Sequence, residues 1–216
     1  MKRLLPTIIV VLVGAATIAG GTILYRAKRP VLLTMNRASA SDSSRHSIGS
    51  ADAPVTLDEF GDFECPPCGK LSEPLNQLVH DFAPRVRMVF HNFPLPTHKF
   101  SWQAAWAAEA AGVQGKFWQM HDMIYKDQAV WANSIDATGL FNAYAAYLGL
   151  DVQRFKADFE NPEVRERVAA DQREGSALGV KNTPTIFINH AELDPKQLNP
   201  PALRMALEEA LRKPKP

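Results

Sequence analysis

A strand–helix–strand pattern in residues 55–93 limits the folds that this chain can adopt. Val55–Phe60 and Val86–Phe93 predict two strands, and Pro66–Phe82, with apolar residues at helical spacing, predicts the helix between them. A helix that joins two neighbouring strands makes them parallel through a right-handed crossover. The pattern therefore predicts an α/β fold whose crossover helix begins at a pair of cysteines, Cys65 and Cys68.

Helical patterns dominate the chain after this unit, and one strand and one helix follow them. The helical segments are Lys99–Gly112, Lys116–Tyr125, Leu140–Leu148 and Pro162–Leu178. A strand is predicted over Pro184–Asn189 and a last helix over Pro201–Arg212. Four tryptophans are expected to pack in the core: Trp102, Trp106, Trp118 and Trp131. The predicted order is β-α-β, helical insertion, β, α.

The N-terminal part of the chain predicts a single membrane segment. Leu4–Tyr25 carries no charged side chain, and its 22 residues are long enough to cross a bilayer as a helix. Basic residues flank both ends, so charge alone does not orient the segment. Residues 1–29 are therefore interpreted as an anchor, and a cleaved signal peptide ending near Ala38-Ser39-Ala40 remains the alternative.

The sequence then divides into a linker and one domain. Residues 30–53 include a Ser-rich stretch without apolar periodicity, which predicts a flexible linker, and residues 54–216 have the length of a single domain. Residues 54–216 contain four more acidic than basic side chains. Nucleic-acid binding is therefore not expected, because it requires a basic surface. No cofactor is expected either.

The two cysteines predict redox chemistry. A C-x-x-C spacing at a helix start exposes the first sulfur to unpaired N–H groups, which favour a thiolate on Cys65, and places Cys68 one turn further on, where it can resolve a mixed disulfide. Pro66 and Pro67 fit a first helical turn. Three readings remain open at this point: a redox pair, a metal or cluster site shared between two chains, and inert thiols. A zinc site within one chain is disfavoured because the downstream histidines have unsuitable spacing.

Four motifs, in this order and spacing, resemble the DsbA-like thiol-disulfide oxidoreductases of the thioredoxin superfamily. They are Ile48–Cys68, His91–Leu95 with His98, Gln114–Asp122, and Gly179–Thr185. The resemblance implies a thioredoxin-like fold with a helical subdomain inserted at about residues 98–178.

The resemblance also implies roles for individual residues. Cys65 would be the solvent-facing attacking thiol and Cys68 the resolving thiol. Thr183-Pro184 would be a cis-proline dipeptide that faces the pair and binds extended substrate, although Pro184 could simply start a strand. Glu59 would be a buried acid that relays the proton of the resolving thiol, although it could also be an exposed edge charge.

The function implied is disulfide exchange with exported proteins that carry thiols or disulfides, followed by recycling through a membrane redox partner. The chain would then be a single-pass protein of the cell membrane, with its catalytic domain outside the cytoplasm. Pro66-Pro67 offers no histidine to stabilise a thiolate, so an intermediate redox potential is expected, with oxidation favoured over reduction. The alternative is a non-catalytic thioredoxin-fold binding module, with or without an inter-chain metal at the cysteines.

Some positions depart from the family's pattern. Asn182 stands where glycine often precedes Thr-Pro, and His190-Ala191-Glu192 replaces a glycine turn, which predicts that the final hairpin is altered or lacks its usual tight turn. His91 and His121 are expected to serve packing or the surface rather than catalysis.

Overall fold

The computed structural model describes residues 46–213. The predicted anchor, residues 1–29, and residues 30–45 of the predicted linker lie outside this range. Of the helices in residues 46–213, none combines the length and apolar character that a bilayer crossing requires.

A five-stranded sheet lies at the centre of the fold. Its strands are β1 (His46–Ile48), β2 (Val55–Gly61), β3 (Val86–Asn92), β4 (Thr185–Ile188) and β5 (Ala191–Glu192), arranged in the order β1-β3-β2-β4-β5. β2 and β3 are parallel and the other neighbours are antiparallel. The predicted strand–helix–strand unit is therefore confirmed, with its two strands adjacent in the sheet.

Helices join and cover the strands. They are α1 (Pro66–Asp81), α2 (Ser101–Val113), α3 (Phe117–Lys126), α4 (Gln128–Trp131), α5 (Ala137–Tyr147), α6 (Val152–Glu160), α7 (Pro162–Ala177) and α8 (Pro200–Arg212), with a 3₁₀ turn at Pro195–Gln197. Helices α2 to α7 form the predicted insertion. The sequence analysis missed α6, which local caps define: the Asp151 side chain accepts hydrogen bonds from two amides of its first turn, and Asn161 caps the start of α7.

The two faces of the sheet pack against different helices. Side chains alternate along a strand, so Leu57 and Glu59 face one side of β2, whereas Asp58 and Phe60 face the other. Leu57 belongs to the large core shared with α1 and the insertion. Phe60 belongs to a smaller cluster, and Gly175 of α7 comes so close that an added Cβ would lie 2.8 Å from the Phe60 ring. The faces are called here the α1 face and the α7 face.

A strand already precedes the predicted domain boundary at residue 54. β1 lies within the predicted linker and pairs antiparallel with β3. His46 holds this strand in place, because its Nε2 atom lies 3.0 Å from a carboxylate oxygen of buried Glu109 and its ring stacks on Phe117. Sequence periodicity could not indicate so short an edge strand.

The predicted loss of the tight turn in the final hairpin is wrong. β4 and β5 are joined by Asn189 and His190, with φ angles of 48° and 70°, as in a type I′ turn. Asparagine tolerates this left-handed conformation, and here its side-chain oxygen also accepts a hydrogen bond from the Thr56 amide at 2.9 Å. This hydrogen bond to β2 therefore stabilises Asn189 in a conformation that glycine usually adopts in such a turn.

The expectation that the tryptophans pack in the core is confirmed, although the four side chains differ in how deeply they are buried. Trp131 is fully buried, whereas Trp102, Trp106 and Trp118 are partly buried and pack against the main core.

Candidate active site

Cys65 occupies the N-cap position of α1. Its backbone is extended, with φ of −75° and ψ of 118°, and Pro66 and Pro67 form the first turn. The carbonyl oxygen of Cys65 accepts a hydrogen bond from the Gly69 amide at 3.2 Å. Cys65 exposes 5% of its surface and Cys68 none, and both are free thiols. Cys65 is therefore the more accessible sulfur, although it faces solvent less than the sequence analysis expected.

The two thiols have opposite acidity. A hydrogen bond from the Cys68 thiol, with smaller contributions from Thr183 and the Cys68 amide, lowers the pKa of Cys65 to about 6, although burial and Asp62 act in the other direction. Burial raises the pKa of Cys68 well above its usual value. At neutral pH the pair therefore consists of a thiolate at the helix terminus and a neutral thiol beneath it.

The loop before β4 faces Cys65. The Thr183–Pro184 peptide bond is cis, as predicted, and the Cys65 sulfur lies 3.2 Å from the Thr183 carbonyl oxygen. Pro184 also directly precedes β4, so the strand-start reading and the cis reading both hold. The role of Thr183 and Pro184 in binding substrate stays a prediction.

Glu59 lies wholly buried on the α1 face. Neither of its carboxylate oxygens has a hydrogen-bond partner among the described residues. Burial, and then the nearby Cys65 thiolate, raise the pKa of Glu59 to about 8. The alternative of an exposed edge charge is wrong, because β2 is an interior strand between β3 and β4. At neutral pH Glu59 therefore holds a proton close to the cysteine pair.

Asp62 fixes the loop that carries the cysteines, and the sequence analysis did not identify it. Its carboxylate accepts hydrogen bonds from the amides of Glu64 and Leu95 and lies 2.8 Å from Nδ1 of His98. This buried carboxylate thus joins the segment after β2 to the segment after β3. The His98 position in the second motif was the only available signal for this contact.

Gln128 is a second residue that the sequence analysis missed. Its side-chain amide donates to the carbonyl oxygens of Phe63 at 2.7 Å and Cys65 at 2.9 Å. It therefore holds the backbone of the attacking cysteine from α4, a four-residue helix whose position no periodicity indicates.

The two histidines of the motifs are both buried and packed against aromatic rings, and neither lies at the surface. His121 is fully buried among aromatic rings that include Phe63 and Phe90, and burial lowers its pKa. His91 is 1% exposed and lies on the α7 face, stacked on Phe60. Neither histidine contacts the sulfurs in any described interaction.

The arrangement weighs against a metal at the cysteines. Among residues 46–213, no third metal-ligating side chain is grouped with the two sulfurs. A site shared between two chains would need both sulfurs at the surface, and Cys68 is fully buried. The site instead combines an activated thiolate, a shielded second thiol and a neutral buried acid, a combination suited to thiol-disulfide exchange.

Comparisons with known proteins agree with this geometry. The family model described as thioredoxin matches residues 41–209. The chain is similar to a thioredoxin-like oxidoreductase from Silicibacter pomeroyi, with 29% identity, 77% of this chain and 94% of that one covered, and a TM-score of 0.62. It is also similar to BdbD from Bacillus subtilis, with 24% identity, 79% and 95% covered, and a TM-score of 0.70.

Curated relatives share the sequence over part of their length. The protein named Na(+)/H(+) antiporter NhaA 1 from Salinispora arenicola is 39% identical over 145 residues, which are 67% of this chain and 21% of that protein. The chain thus spans about a fifth to a quarter of the length of the curated relatives it matches.

Proposed function

The chain belongs to the thioredoxin family, and on this basis we propose that it exchanges disulfides with other proteins through Cys65 and Cys68. One observation carries the proposal: Cys65, whose pKa is lowered to about 6, lies at a helix N-terminus with its sulfur 3.2 Å from the Thr183 carbonyl oxygen. Cys68 lies one turn deeper and is inaccessible. Because the similarity covers only about a fifth to a quarter of each antiporter, ion transport is not part of this proposal.

In the oxidising direction, a substrate thiolate attacks Cys65 in the Cys65–Cys68 disulfide. The bond between the two enzyme sulfurs breaks, a mixed disulfide forms at Cys65, and Cys68 leaves as a thiolate. A second substrate thiolate then attacks the substrate sulfur of the mixed disulfide and releases the Cys65 thiolate. The substrate has lost two electrons and gained a disulfide, and the enzyme has gained two electrons.

Glu59 supplies the proton for the first step. The Cys68 thiolate is disfavoured in its buried position, and Glu59, with a pKa of about 8, carries a proton at neutral pH. Transfer of that proton to Cys68 stabilises the leaving group, and the reverse transfer activates Cys68 when it resolves a mixed disulfide.

Oxidation is the favoured direction. A stabilised Cys65 thiolate favours the reduced enzyme and thereby makes the disulfide a stronger oxidant. Pro66 and Pro67 add no hydrogen bond or charge, so the potential is expected between the roughly −120 mV of the strongest oxidants and the roughly −270 mV of thioredoxin. Replacing Pro67 by His would raise it.

We place this activity outside the cytoplasm. The charge-free run Leu4–Tyr25 would anchor the chain, with its N-terminus in the cytoplasm and the catalytic domain in the periplasm or at the cell surface. The substrates would be exported proteins, and a membrane redox partner would reoxidise the pair. A cysteine reporter in the Ser-rich segment 36–52 should react with a membrane-impermeant reagent in intact cells, and its protection would contradict this topology.

A trapping experiment tests the assignment of the thiols. In cells, Cys68→Ser should accumulate mixed disulfides between Cys65 and client proteins, because the resolving thiol is missing, whereas Cys65→Ser should accumulate none. Gel shifts under non-reducing conditions measure both. Equal trapping by the two variants would contradict the roles proposed here, and absence of trapping by both would favour the binding-module alternative.

A further inference from the structure

A second group of chemically reactive side chains lies on the α7 face, separated from the cysteines by the sheet. Ligand-capable atoms of His91, Asp171 and Glu174 lie within 4.8 Å of one another. His91 comes from β3, and the two acids lie one turn apart on α7, which packs over that strand. We propose that these three side chains bind a divalent transition-metal ion of the Zn²⁺ type.

His91 is the residue that points to a ligand. It is 1% exposed, its Nε2 atom lies 3.1 Å from an Asp58 carboxylate oxygen, and its Nδ1 atom is buried without a hydrogen-bond partner. An Nε2–H donated to Asp58 leaves the lone pair on Nδ1. Metal-binding histidines in proteins are oriented in this way, with one nitrogen bonded to a carboxylate and the other to the metal.

The carboxylate of Asp171 is also held in place. One of its oxygens accepts hydrogen bonds from the Asn92 amide at 3.0 Å and from the Asn92 side chain at 3.1 Å. On the same helix, Arg167 approaches Glu109 and Arg173 pairs with Glu166. Asp171 is therefore oriented by neutral donors, as expected for a carboxylate that ligates a cation.

The donor set selects the class of ion. Ca²⁺ and Mg²⁺ prefer oxygen ligands alone, whereas one imidazole with two carboxylates suits Zn²⁺. Zn²⁺ holds nitrogen and oxygen ligands at about 2.1 Å, so the three atoms would draw together to roughly 3.4 Å, and water would complete the tetrahedron. The bound ion would join the insertion helix α7 to the central sheet. This inference does not depend on the proposed thiol chemistry.

Metal binding can be measured on the full-length, tag-free chain with its two cysteines joined as a disulfide, so that neither sulfur is available as a thiolate. Titration with Zn²⁺ should give one ion per chain by calorimetry and a rise in melting temperature. Co²⁺ should give weak visible bands typical of nitrogen and oxygen ligands, without the intense near-ultraviolet bands of sulfur ligation.

The variant Glu174→Gln tests the site, because this half-buried side chain can be changed without opening the core. It should weaken Zn²⁺ binding at least tenfold. The control Glu166→Gln removes the same charge from an exposed position of the same helix and should leave binding unchanged. Asp171→Asn should weaken binding as Glu174→Gln does.

Three results would overturn the proposal: equal Zn²⁺ affinity in Glu174→Gln and Glu166→Gln, binding seen only after the disulfide is reduced, or tighter binding of Ca²⁺ than of Zn²⁺. The second would place the ion on the cysteines, and the third would exclude His91 as a ligand. Because the disulfide form is used throughout, loss of exchange activity would not affect the outcome.

Discussion

Asp58 and Glu59 are adjacent acidic residues on β2, and their carboxyl groups lie on opposite faces of the sheet in different surroundings. Asp58 lies on the α7 face, 3.1 Å from a nitrogen of His91, whereas Glu59 lies on the α1 face without any described hydrogen-bond partner. The acid on the α7 face is thus paired, whereas the acid on the α1 face is unpaired and lies close to the cysteine pair. Burial without a hydrogen-bond partner favours the protonated form of Glu59, which makes this residue the candidate proton donor to the cysteine pair.

The largest difference between the faces is expected in activity. Cys65→Ser should reduce disulfide exchange to the uncatalysed background, because the attacking sulfur is lost, and it should leave the melting temperature nearly unchanged. Phe187→Leu, a change on the α7 face, should instead lower the melting temperature and leave the redox potential unchanged. Reoxidation of a reduced test protein and equilibration with glutathione measure these effects. A shifted redox potential in Phe187→Leu would show that packing on the α7 face does affect the cysteine pair.

The second difference concerns stability and pH. The folded chain holds the Glu59 proton up to about pH 8, whereas the unfolded chain releases it near 4.5, so the folded state binds the extra proton between these values. Its stability therefore falls as the pH rises through this window, by roughly 5 kcal/mol. Glu59→Gln should flatten this slope and be more stable than the wild type at pH 8. Urea unfolding of the reduced form at pH 5 and pH 8, compared between wild type and Glu59→Gln, measures it, and an equal slope in the two proteins would show that Glu59 is ionised when folded.

The matched change on the opposite face should have the opposite sign. Asp58→Asn removes the charged partner of His91 and should destabilise the chain by about 2 kcal/mol at pH 7, since hydrogen bonds to charged groups contribute this much. The same urea titration compares it with Glu59→Gln. If both variants were stabilised, the contrast between the faces would not hold.

The smallest effect is expected at Gln128, which supports the α1 face from outside the sheet. Gln128→Ala removes two hydrogen bonds to the backbone around Cys65 and should destabilise the chain by about 1 kcal/mol. The rate at which iodoacetamide alkylates Cys65 should change as well, because the position of the thiolate is no longer fixed. Gln153→Ala, an exposed glutamine on α6, should do neither. Identical alkylation in both variants would show that Gln128 does not position the sulfur.

The sequence predicted those features whose determinants are local or belong to a motif. Strand and helix periodicity placed β2, α1 and β3, and the motifs placed Cys65, Cys68 and the cis-proline. Gln128 was missed because its partners lie more than 60 residues away and an isolated glutamine gives no pattern. The grouping of His91 with Asp171 was missed for the same reason, since only the packing of α7 on β3 brings them together.

The short edge strands of the sheet have a consequence for solubility. An exposed strand edge offers unpaired N–H and C=O groups on which a foreign extended chain can align and begin to aggregate. Among residues 46–213 the edge strands are β1, with three residues, and β5, with two, and the seven-residue strands β2 and β3 lie inside. The described part of the sheet therefore offers a foreign extended chain little strand edge on which to pair.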